Sequence, residues 1–346
     1  MEPARSRDAA AREGARLTGA CANPAAASAE ELFLGHRRML LALAYRLLGQ
    51  VTEAEDVVQD AWLRWSAADR DGIANPAAFL TTVTTRLALD RLRSAAVRRE
   101  VYVGPWLPEP LPTEGTAGAA EFADPAESLA LRETASLGVL LLLERLSPAE
   151  RAVFVLREAF GLPYEEIAGA LERTEGSCRQ LLSRARRRVA ADGRAPWAAA
   201  RADGRTAGQA EGQADARPLV DAFLAAARGG DMDRLQALLR EDVVVTTDGG
   251  GAARAGRHPI HGAAKASRLF AAVFERFYAG TEITHARYNH APAIVIRTPA
   301  REVVYVFDWD SAGRISRVYA LMNPDKLRHL GLRRGGPSAR GTGRTG

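Results

Sequence analysis

A short segment near the middle of the chain places arginines at a spacing that suits contact with a nucleic acid. Residues 174–190 hold five arginines against one glutamate, so the segment carries a net charge of +4. Arg179, Arg184 and Arg187 fall on one helical stripe, and the opposite stripe is apolar. The apolar stripe comprises Cys178, Leu181, Leu182, Ala185 and Val189. Because guanidinium groups match phosphates and guanine edges, we predict a DNA-binding helix that completes a helix-turn-helix with residues 162–168.

Acidic side chains mark one face of an earlier predicted helix. The pattern from Thr52 to Glu55 is that of a capping box, which predicts where this helix begins. Asp56, Gln59 and Asp60 share a face, and two carboxylates one helical turn apart repel each other unless another charge compensates. The face is either a solvated surface or a docking surface for a partner, and the spacing alone leaves both open.

Another basic strip, the first in chain order, lies on the next predicted helix, which begins at Asn75 and Pro76. Residues 86–99 hold five arginines and one aspartate, again a net charge of +4. Arginines near a helix end can simply offset the helix dipole. Five of them within fourteen residues exceed that need, so the strip predicts nucleic-acid contact.

Groups capable of acid–base chemistry occur in the last third of the chain. They are Asp248, His258, His261, His285, Asp308 and Asp310. In the alternative interpretation, the run from Asp248 to Gly251 is a turn whose glycines permit positive φ, and the histidines lie on loops. Since no pair has the spacing of a catalytic dyad, we predict no catalytic residue and no cofactor.

Two further classes of protein are disfavoured by composition. Cys21 and Cys178 are the two cysteines, too few for a disulfide framework or a cysteine-based zinc site, so we predict no metal. No apolar run approaches the roughly 18 to 20 residues that a membrane span requires, and the first residues lack an apolar signal core. We therefore expect a cytoplasmic protein without membrane contact.

The 346 residues divide into blocks of different composition. We predict two all-α helical domains, a proline-rich connector between them and a C-terminal α+β domain with β-branched strands. The expected bounds are a disordered tail at 1–28, helices at 29–100, the connector at 101–126, helices at 127–191, a flexible linker at 192–216, the α+β domain at 217–332 and a disordered tail at 333–346.

The motifs in their order resemble regions 2 and 4 of the extracytoplasmic-function sigma factors of bacterial RNA polymerase. The resemblance rests on residues 53–65, 75–80, 87–93, 146–151 and 163–188. The connector at residues 102–110, together with Asp248–Gly251 and Asn323–Leu327, is similar to the subgroup with a C-terminal SnoaL-like cone. The chain departs from that subgroup at Ala252, where a lysine is common.

The resemblance implies roles for particular residues and partners. Contact with core RNA polymerase, through the β′ clamp coiled coil, is implied for Asp56, Gln59 and Asp60, and the β flap is a second expected contact on the polymerase. Reading or melting of the −10 element is implied for Asn75, Phe79, Thr82, Arg86, Arg91 and Arg93. Reading of the −35 element is implied for Ser177, Arg179, Gln180, Ser183, Arg184 and Arg187. Contacts of the C-terminal domain with region 2 and the connector are implied for Asp248, Gly249, Gly250, Gly251, Asn323, Pro324 and Asp325.

Two other functions remain as alternatives to a self-regulated sigma factor. A transcription factor that binds duplex DNA without polymerase would need only the helix-turn-helix, and it would leave the acidic face and the first basic strip unexplained. An enzyme with a DNA-binding appendage would require turnover by the C-terminal block. The sequence does not set the sign of the C-terminal domain's effect on transcription.

Overall fold

The computed structural model describes residues 28–113, 129–191 and 217–331. The predicted tails, the 192–216 linker and the connector beyond residue 113 therefore lie almost wholly outside the described residues.

The first two blocks are helical, as expected. The first helical block contains α1 (Ala29–Leu48), α2 (Val51–Ala67) and α3 (Pro76–Glu100). Residues 101–113, which we call the connector, form neither a helix nor a strand. The second helical block contains α4 (Leu129–Thr134), α5 (Leu137–Leu143), α6 (Pro148–Phe154) with a π-helical turn at Val155–Ala159, α7 (Tyr164–Leu171) and α8 (Glu175–Ala191).

The start of α2 differs from the prediction. No capping box forms at Thr52, because the N-cap lies two residues earlier, at Gln50, whose side chain makes no cap bond. Instead, the carboxylate of Glu109 in the connector accepts hydrogen bonds from the backbone amides of Val51 at 2.7 Å and Thr52 at 3.1 Å. Four amides at a helix start lack partners within the helix, and a carboxylate supplies both the bonds and a favourable charge. A distant residue thus caps α2.

The two helical blocks share one apolar core. All five residues of the predicted apolar stripe on α8 are buried, as the sequence predicted. That stripe belongs to the same apolar cluster as the buried faces of α1, α2 and α3, and Leu111 of the connector joins it. On α2, Trp62 is only half-buried, and its ring centroid lies 5.0 Å from that of Phe33. The structure therefore holds the two blocks together as one packed unit.

The C-terminal domain is the expected α+β cone. It contains α9 (Arg217–Gly229), α10 (Met232–Leu238), β1 (Leu239–Asp248), β2 (Ile260–His261), α11 (Ala263–Phe277), β3 (Glu282–Tyr288), β4 (Ala291–Arg297), β5 (Glu302–Trp309), β6 (Ile315–Leu321) and a 3₁₀ turn at Pro324–Leu330. The sheet order is β2-β1-β6-β5-β4-β3, and β1 pairs with β6 in parallel while the other pairs are antiparallel. The sequence prediction did not include α11, β2 or β3.

The two faces of this sheet have different partners. Helices α9 and α11 cover one face, where aromatic rings such as Phe223, Phe270 and Phe307 interlock at centroid distances of 4.9 to 5.3 Å. The other face packs against Leu107 of the connector and Leu137 of α5. Full burial of one leucine contributes about 1.5–3 kcal/mol. Within the described ranges, no helix is both long and apolar enough to cross a bilayer.

Candidate nucleic-acid interfaces and the interdomain junction

The face of α8 opposite the core is open to solvent. Five of its predicted DNA-contacting residues are exposed and one is half-buried: Arg179, Gln180, Ser183, Arg184 and Arg187, with Ser177 the half-buried one. Arg179 pairs with Glu175 one turn earlier at 2.6 Å, and its guanidinium lies 4.9 Å from the ring centroid of Tyr164. Arg184 lies 3.9 Å from the buried carboxylate of Glu150. An exposed row of guanidinium and amide groups suits a major groove.

Most of the residues predicted to contact the −10 element are engaged within the protein. The side chain of Asn75 accepts a hydrogen bond from the amide of Ala78 at 3.1 Å and so caps α3. The ring of Phe79 packs on that of Trp65, with centroids 5.8 Å apart. Thr82 is half-buried. Arg93 is exposed and pairs with Asp90 of its own helix at 2.9 Å.

Arg86 joins the two helical blocks directly. Its Nε donates to the carbonyl of Ala170 and its Nη2 to that of Gly169, each at 3.0 Å. Its Nη1 lies 3.1 Å from the carboxylate of Glu172, which follows α7. A helix C-terminus presents unpaired carbonyls and a partial negative charge, so an arginine is a favourable cap there. The side chain predicted to contact promoter DNA therefore caps α7 in this conformation.

Arg91 supplies the charge that the acidic pair requires. It lies 3.3 Å from Asp56 and 3.0 Å from Asp60 and bridges the two carboxylates from the neighbouring helix. Gln59, the third residue of the predicted docking face, points elsewhere. It lines a shallow groove between α1 and α2 with Leu34 and Trp62. The acidic face is thus already neutralised in part within the chain.

Two buried arginines also join the helical blocks, and the sequence analysis did not identify either. Arg46 of α1 donates to the Thr134 hydroxyl at 3.0 Å and to the carbonyl of Leu131. Arg151 of α6 pairs with Glu144 and donates to the carbonyl of Arg46. Both side chains are almost fully buried. Buried guanidinium groups are costly without partners, so these contacts specify the packing of one block on the other.

Asp248 is the centre of the first junction between the C-terminal domain and the connector. Its fully buried carboxylate accepts hydrogen bonds from the Tyr102 hydroxyl at 2.6 Å and the Leu107 amide at 2.8 Å. Lys326 pairs with it at 2.7 Å and also donates to the carbonyl of Leu107. The Lys326 ammonium lies 4.2 Å from the ring centroid of Trp106 and 4.8 Å from that of Tyr102. We call these residues the Asp248 site.

The glycines after Asp248 permit this close packing. Gly250 has φ of +57°, and a Cβ built there would lie 2.1 Å from the amide nitrogen of Asn323. The Asn323 amide in turn donates to the Tyr102 hydroxyl at 2.8 Å and its carbonyl accepts from the Asp325 amide. At Ala252 the side chain is exposed, whereas Lys326 brings a lysine charge to Asp248. The predicted contact residues Asp248–Gly251 and Asn323–Asp325 are therefore brought together beside the connector.

A second junction lies at the turn between β3 and β4. Asn289 accepts a hydrogen bond from the Leu111 amide at 2.9 Å and donates to the Tyr45 hydroxyl at 2.6 Å and to the Ala135 carbonyl at 2.7 Å. Tyr45 also donates to the carbonyl of Glu109 at 2.8 Å. Sequence reasoning missed this residue, since a lone Asn before His predicts only a turn.

The C-terminal domain and the first helical block take up much of the connector's polar backbone. Besides the bonds at Leu107 and Leu111, Thr113 donates from its amide to the Arg287 carbonyl at 3.1 Å. His329 lies 2.8 Å from the carbonyl of Pro110. Burial raises the pKa of Glu109 and lowers that of His329. The connector is rich in proline, and its four backbone amides between Leu107 and Thr113 all donate hydrogen bonds.

The acid–base candidates do not form one site. Asp248 is occupied as described, and His258 and His261 are exposed. His285 pairs with Asp221 at 2.9 Å, and Asp308 accepts from the Tyr319 hydroxyl at 2.9 Å. Asp310 accepts from the amide of Ala312 in a turn. Among the residues the structure describes, no group of three or more His, Cys, Asp or Glu is placed to hold a metal.

Comparisons with known proteins agree with this arrangement. The Sigma-70 region 2 family matches residues 32–98, and the Sigma-70, region 4 family matches residues 136–189. The chain is 40% identical over 248 residues to the ECF RNA polymerase sigma factor SigJ of Mycobacterium tuberculosis, covering 70% of this chain and 72% of the relative. It is 33% identical over 317 residues to the probable ECF RNA polymerase sigma factor SigI of the same organism, covering 87% of this chain and 95% of the relative.

A solved structure covers the C-terminal domain as well. The crystal structure of the M. tuberculosis extracytoplasmic function sigma factor SigJ superposes with a TM-score of 0.67 at 30% identity, covering 87% of this chain and 99% of that one. The two helical blocks, their order and the C-terminal cone are thus accounted for together. The chain belongs to the extracytoplasmic-function RNA polymerase sigma factors, proteins of promoter recognition and transcription initiation, and it carries a SnoaL-like C-terminal extension.

Proposed function

We propose that the two helical blocks read separate promoter elements and that the C-terminal domain regulates them by holding the connector. In this proposal α8 reads the −35 element, α3 captures the −10 element and the acidic face of α2 docks on core RNA polymerase. The exposed stripe of α8 supports the first assignment, because exposed arginine and glutamine side chains can pair with guanine and adenine edges. The C-terminal domain acts without catalysis, through contacts alone.

The −35 assignment can be tested on α8. Replacing Arg184 and Arg187 by Ala in the full chain is expected to abolish −35-dependent transcription in a reconstituted assay while binding to core polymerase persists. Arg276→Ala, an arginine of α11 in the C-terminal domain, is the control and is expected to leave both unchanged. Unchanged promoter activity in the double variant would refute the role of α8.

The docking assignment requires a control that the structure provides. Asp56→Arg with Asp60→Arg is expected to remove co-purification with core polymerase. These substitutions also break the contacts with Arg91, so Arg91→Gln serves as the matched control and is expected to retain binding. Retained co-purification of the double variant would reject the docking face.

The observation that carries the regulatory part is the bonding of the connector to the C-terminal domain. The −10 and −35 elements lie about 25 base pairs apart, which at about 3.4 Å per base pair is about 85 Å. In the structure Arg86 contacts α7 directly, so the two readers are adjacent. Promoter binding therefore requires the helical blocks to separate, and the connector between them must leave the surface that holds it.

The regulatory part is tested on full-length protein. Asp248→Asn is expected to change promoter output in reconstituted transcription without loss of binding to core polymerase, because it weakens the hold on the connector. Asp242→Asn is the control, since Asp242 forms an exposed pair with Arg240 in the same domain. Identical output from the Asp248 variant and the unaltered protein across a promoter library would contradict this part of the proposal.

A further inference from the structure

The turn between β3 and β4 departs from the usual environment of a hairpin tip. Asn289 and His290 have φ of +53° and +60°. A two-residue type I′ hairpin turn requires positive φ at both positions, and Asn adopts such values readily. Such tips are normally solvated. The side chain of Asn289 is instead 1% exposed. Its burial places a fully polar amide among three other segments of the chain.

Both donor positions and the acceptor oxygen of the Asn289 side chain pair with those three segments. The two donor positions of Nδ2 serve Tyr45 of α1 and the Ala135 carbonyl just before α5. The acceptor Oδ1 and the backbone amide pair with the amide and carbonyl of Leu111 in the connector, both at 2.9 Å. The orientation of the side-chain amide is fixed. Exchanging its oxygen and nitrogen would place Oδ1 against the Tyr45 hydroxyl and the Ala135 carbonyl, and it would place Nδ2 against the Leu111 amide.

We propose that the Asn289 turn is the contact through which the C-terminal domain keeps the two helical blocks together. This inference rests on the proposed regulatory function and names its contact. The Asp248 site grips only the connector, whereas Asn289 touches the first block, the connector and the second block with one side chain. If the turn moves away, the Tyr45 hydroxyl, the Ala135 carbonyl and the Leu111 amide each lose one hydrogen-bond partner in a buried environment.

The consequence is a contact that releases as a unit. All three segments are bonded to the same side-chain amide. If one segment moves away, its bond breaks and the bonds to the other two are weakened, so the bonds support one another. The turn is therefore the place where a signal acting on the C-terminal domain reaches both promoter readers at once.

The test measures the separation of the helical blocks in the full chain. Spin labels are placed on cysteines at exposed Ser66 in α2 and Ala190 in α8, with Cys21→Ser and Cys178→Ala removing the native thiols. Asn289→Asp keeps the shape and the tolerance of positive φ but replaces two donors by an acceptor. We expect a single short distance in the unaltered chain and an open fraction at least about tenfold higher in the variant.

The controls separate this effect from general damage. His285→Asn lies on β3, the strand that leads into the turn, where His285 pairs with Asp221 inside the C-terminal domain, and it is expected to retain the short distance. Tyr45→Phe removes the hydroxyl from the opposite side of the junction and is expected to open the chain by a smaller factor. If Asn289→Asp does not fold, Tyr45→Phe decides. A short distance retained in folded Asn289→Asp, or in Tyr45→Phe when the former is lost, would overturn the inference.

The inference and the proposed function fail in different ways. If Asp248→Asn alters promoter output while Asn289→Asp leaves the label distance unchanged, the regulator stands and the Asn289 turn is not its contact. If Asn289→Asp opens the chain but neither variant changes promoter output, the turn holds the blocks together and the regulatory function fails.

Discussion

Two polar junctions between the C-terminal domain and the rest of the chain differ in chemistry. The Asp248 site is ionic, with a buried carboxylate and ammonium between two aromatic rings. The Asn289 turn is neutral and is built from amide and hydroxyl groups. The first contacts the connector at Tyr102 and Leu107, and the second contacts Leu111 together with both helical blocks.

This difference indicates a division of labour. A buried ion pair contributes little net stability but is very sensitive to loss of one partner, so it makes a specific grip on a specific segment. A neutral amide that hydrogen-bonds to three segments contributes less free energy per bond, but it couples more elements of the structure. We therefore expect the Asp248 site to determine whether the connector is held and the Asn289 turn to determine whether the blocks are joined.

The largest effect is expected when the ion pair is broken on one side. Asp248→Ala leaves the Lys326 ammonium buried without its carboxylate and is expected to cost about 3–5 kcal/mol in the free energy of unfolding of the C-terminal domain. Adding Lys326→Met to the Asp248→Ala variant removes the orphaned charge and is expected to recover part of this loss. Chemical denaturation measures both. Equal losses in the single and double variants would show that charge is not what the site depends on.

The next effect concerns coupling between the junctions. Asn289→Asp is expected to cost about 1–3 kcal/mol, because it leaves buried partners unsatisfied. If the connector couples the two sites, the double variant with Asp248→Asn is expected to cost less than the sum of the single variants by at least about 0.5 kcal/mol. Chemical denaturation of the four proteins gives the coupling energy. Strict additivity would mean that the two junctions hold the connector independently.

A smaller effect is expected at the contact that bypasses the C-terminal domain. Arg86→Lys keeps the charge but cannot reach the carbonyls of Gly169 and Ala170 and the carboxylate of Glu172 at once. We expect the joined state of the blocks to weaken by about 1 kcal/mol, read from the label distance. Arg93→Lys is the matched control, since Arg93 pairs within α3. If the Arg86 variant showed the same label distance as this control, the contacts of Arg86 would not hold the two blocks together.

The smallest effect is a dependence on pH at His329. Burial lowers the pKa of its ring below the ordinary value of 6.5, so the folded protein binds fewer protons there than the unfolded chain. Stability from this group is therefore fully present above pH 6.5 and is lost as pH falls through the lowered pKa. Glu109 and the Pro110 carbonyl face the ring, and the pKa of Glu109 is raised, which acts in the opposite direction.

The variant His329→Gln isolates that contribution. Its stability relative to the unaltered protein is expected to rise as pH falls below 6.5, measured as the difference in unfolding free energy across pH. A constant difference between pH 5 and 8 would exclude His329 as the titrating group.

Much of the fold follows from periodicity in the sequence. The α8 stripe, the α3 strip and the strands rich in β-branched residues at β1, β4 and β5 were predictable, because each carries a clear local pattern. Helix α11 and strand β3 were not named. The buried face of α11 rests on Ala266, Phe270 and Phe274 between small and charged residues, and β3 alternates weakly. The predicted start of α2 was wrong, because the group that caps this helix is the carboxylate of Glu109, more than fifty residues away in the sequence.

Sequence motifs made part of the candidate site predictable. The other part depends on contacts between distant segments, and the sequence alone did not reveal it. Asp248–Gly251 and Asn323–Asp325 stood out as motifs, and the structure brings them together at the connector. Asn289, Arg46 and Arg151 carry no local signal, since their roles arise only when distant segments meet. The repulsion between Asp56 and Asp60 predicted a compensating charge, but only the structure identifies Arg91 as its source.

We propose that the helical blocks are held together in the free protein and separate when the promoter is bound. The distance between labels at Ser66 and Ala190 tests it most directly, measured in the free chain and again in the complex with core polymerase and promoter DNA. We expect one short distance in the free chain and a shift of tens of ångströms on binding, towards the separation of about 85 Å between the promoter elements. A free chain that already shows the long distance would contradict it.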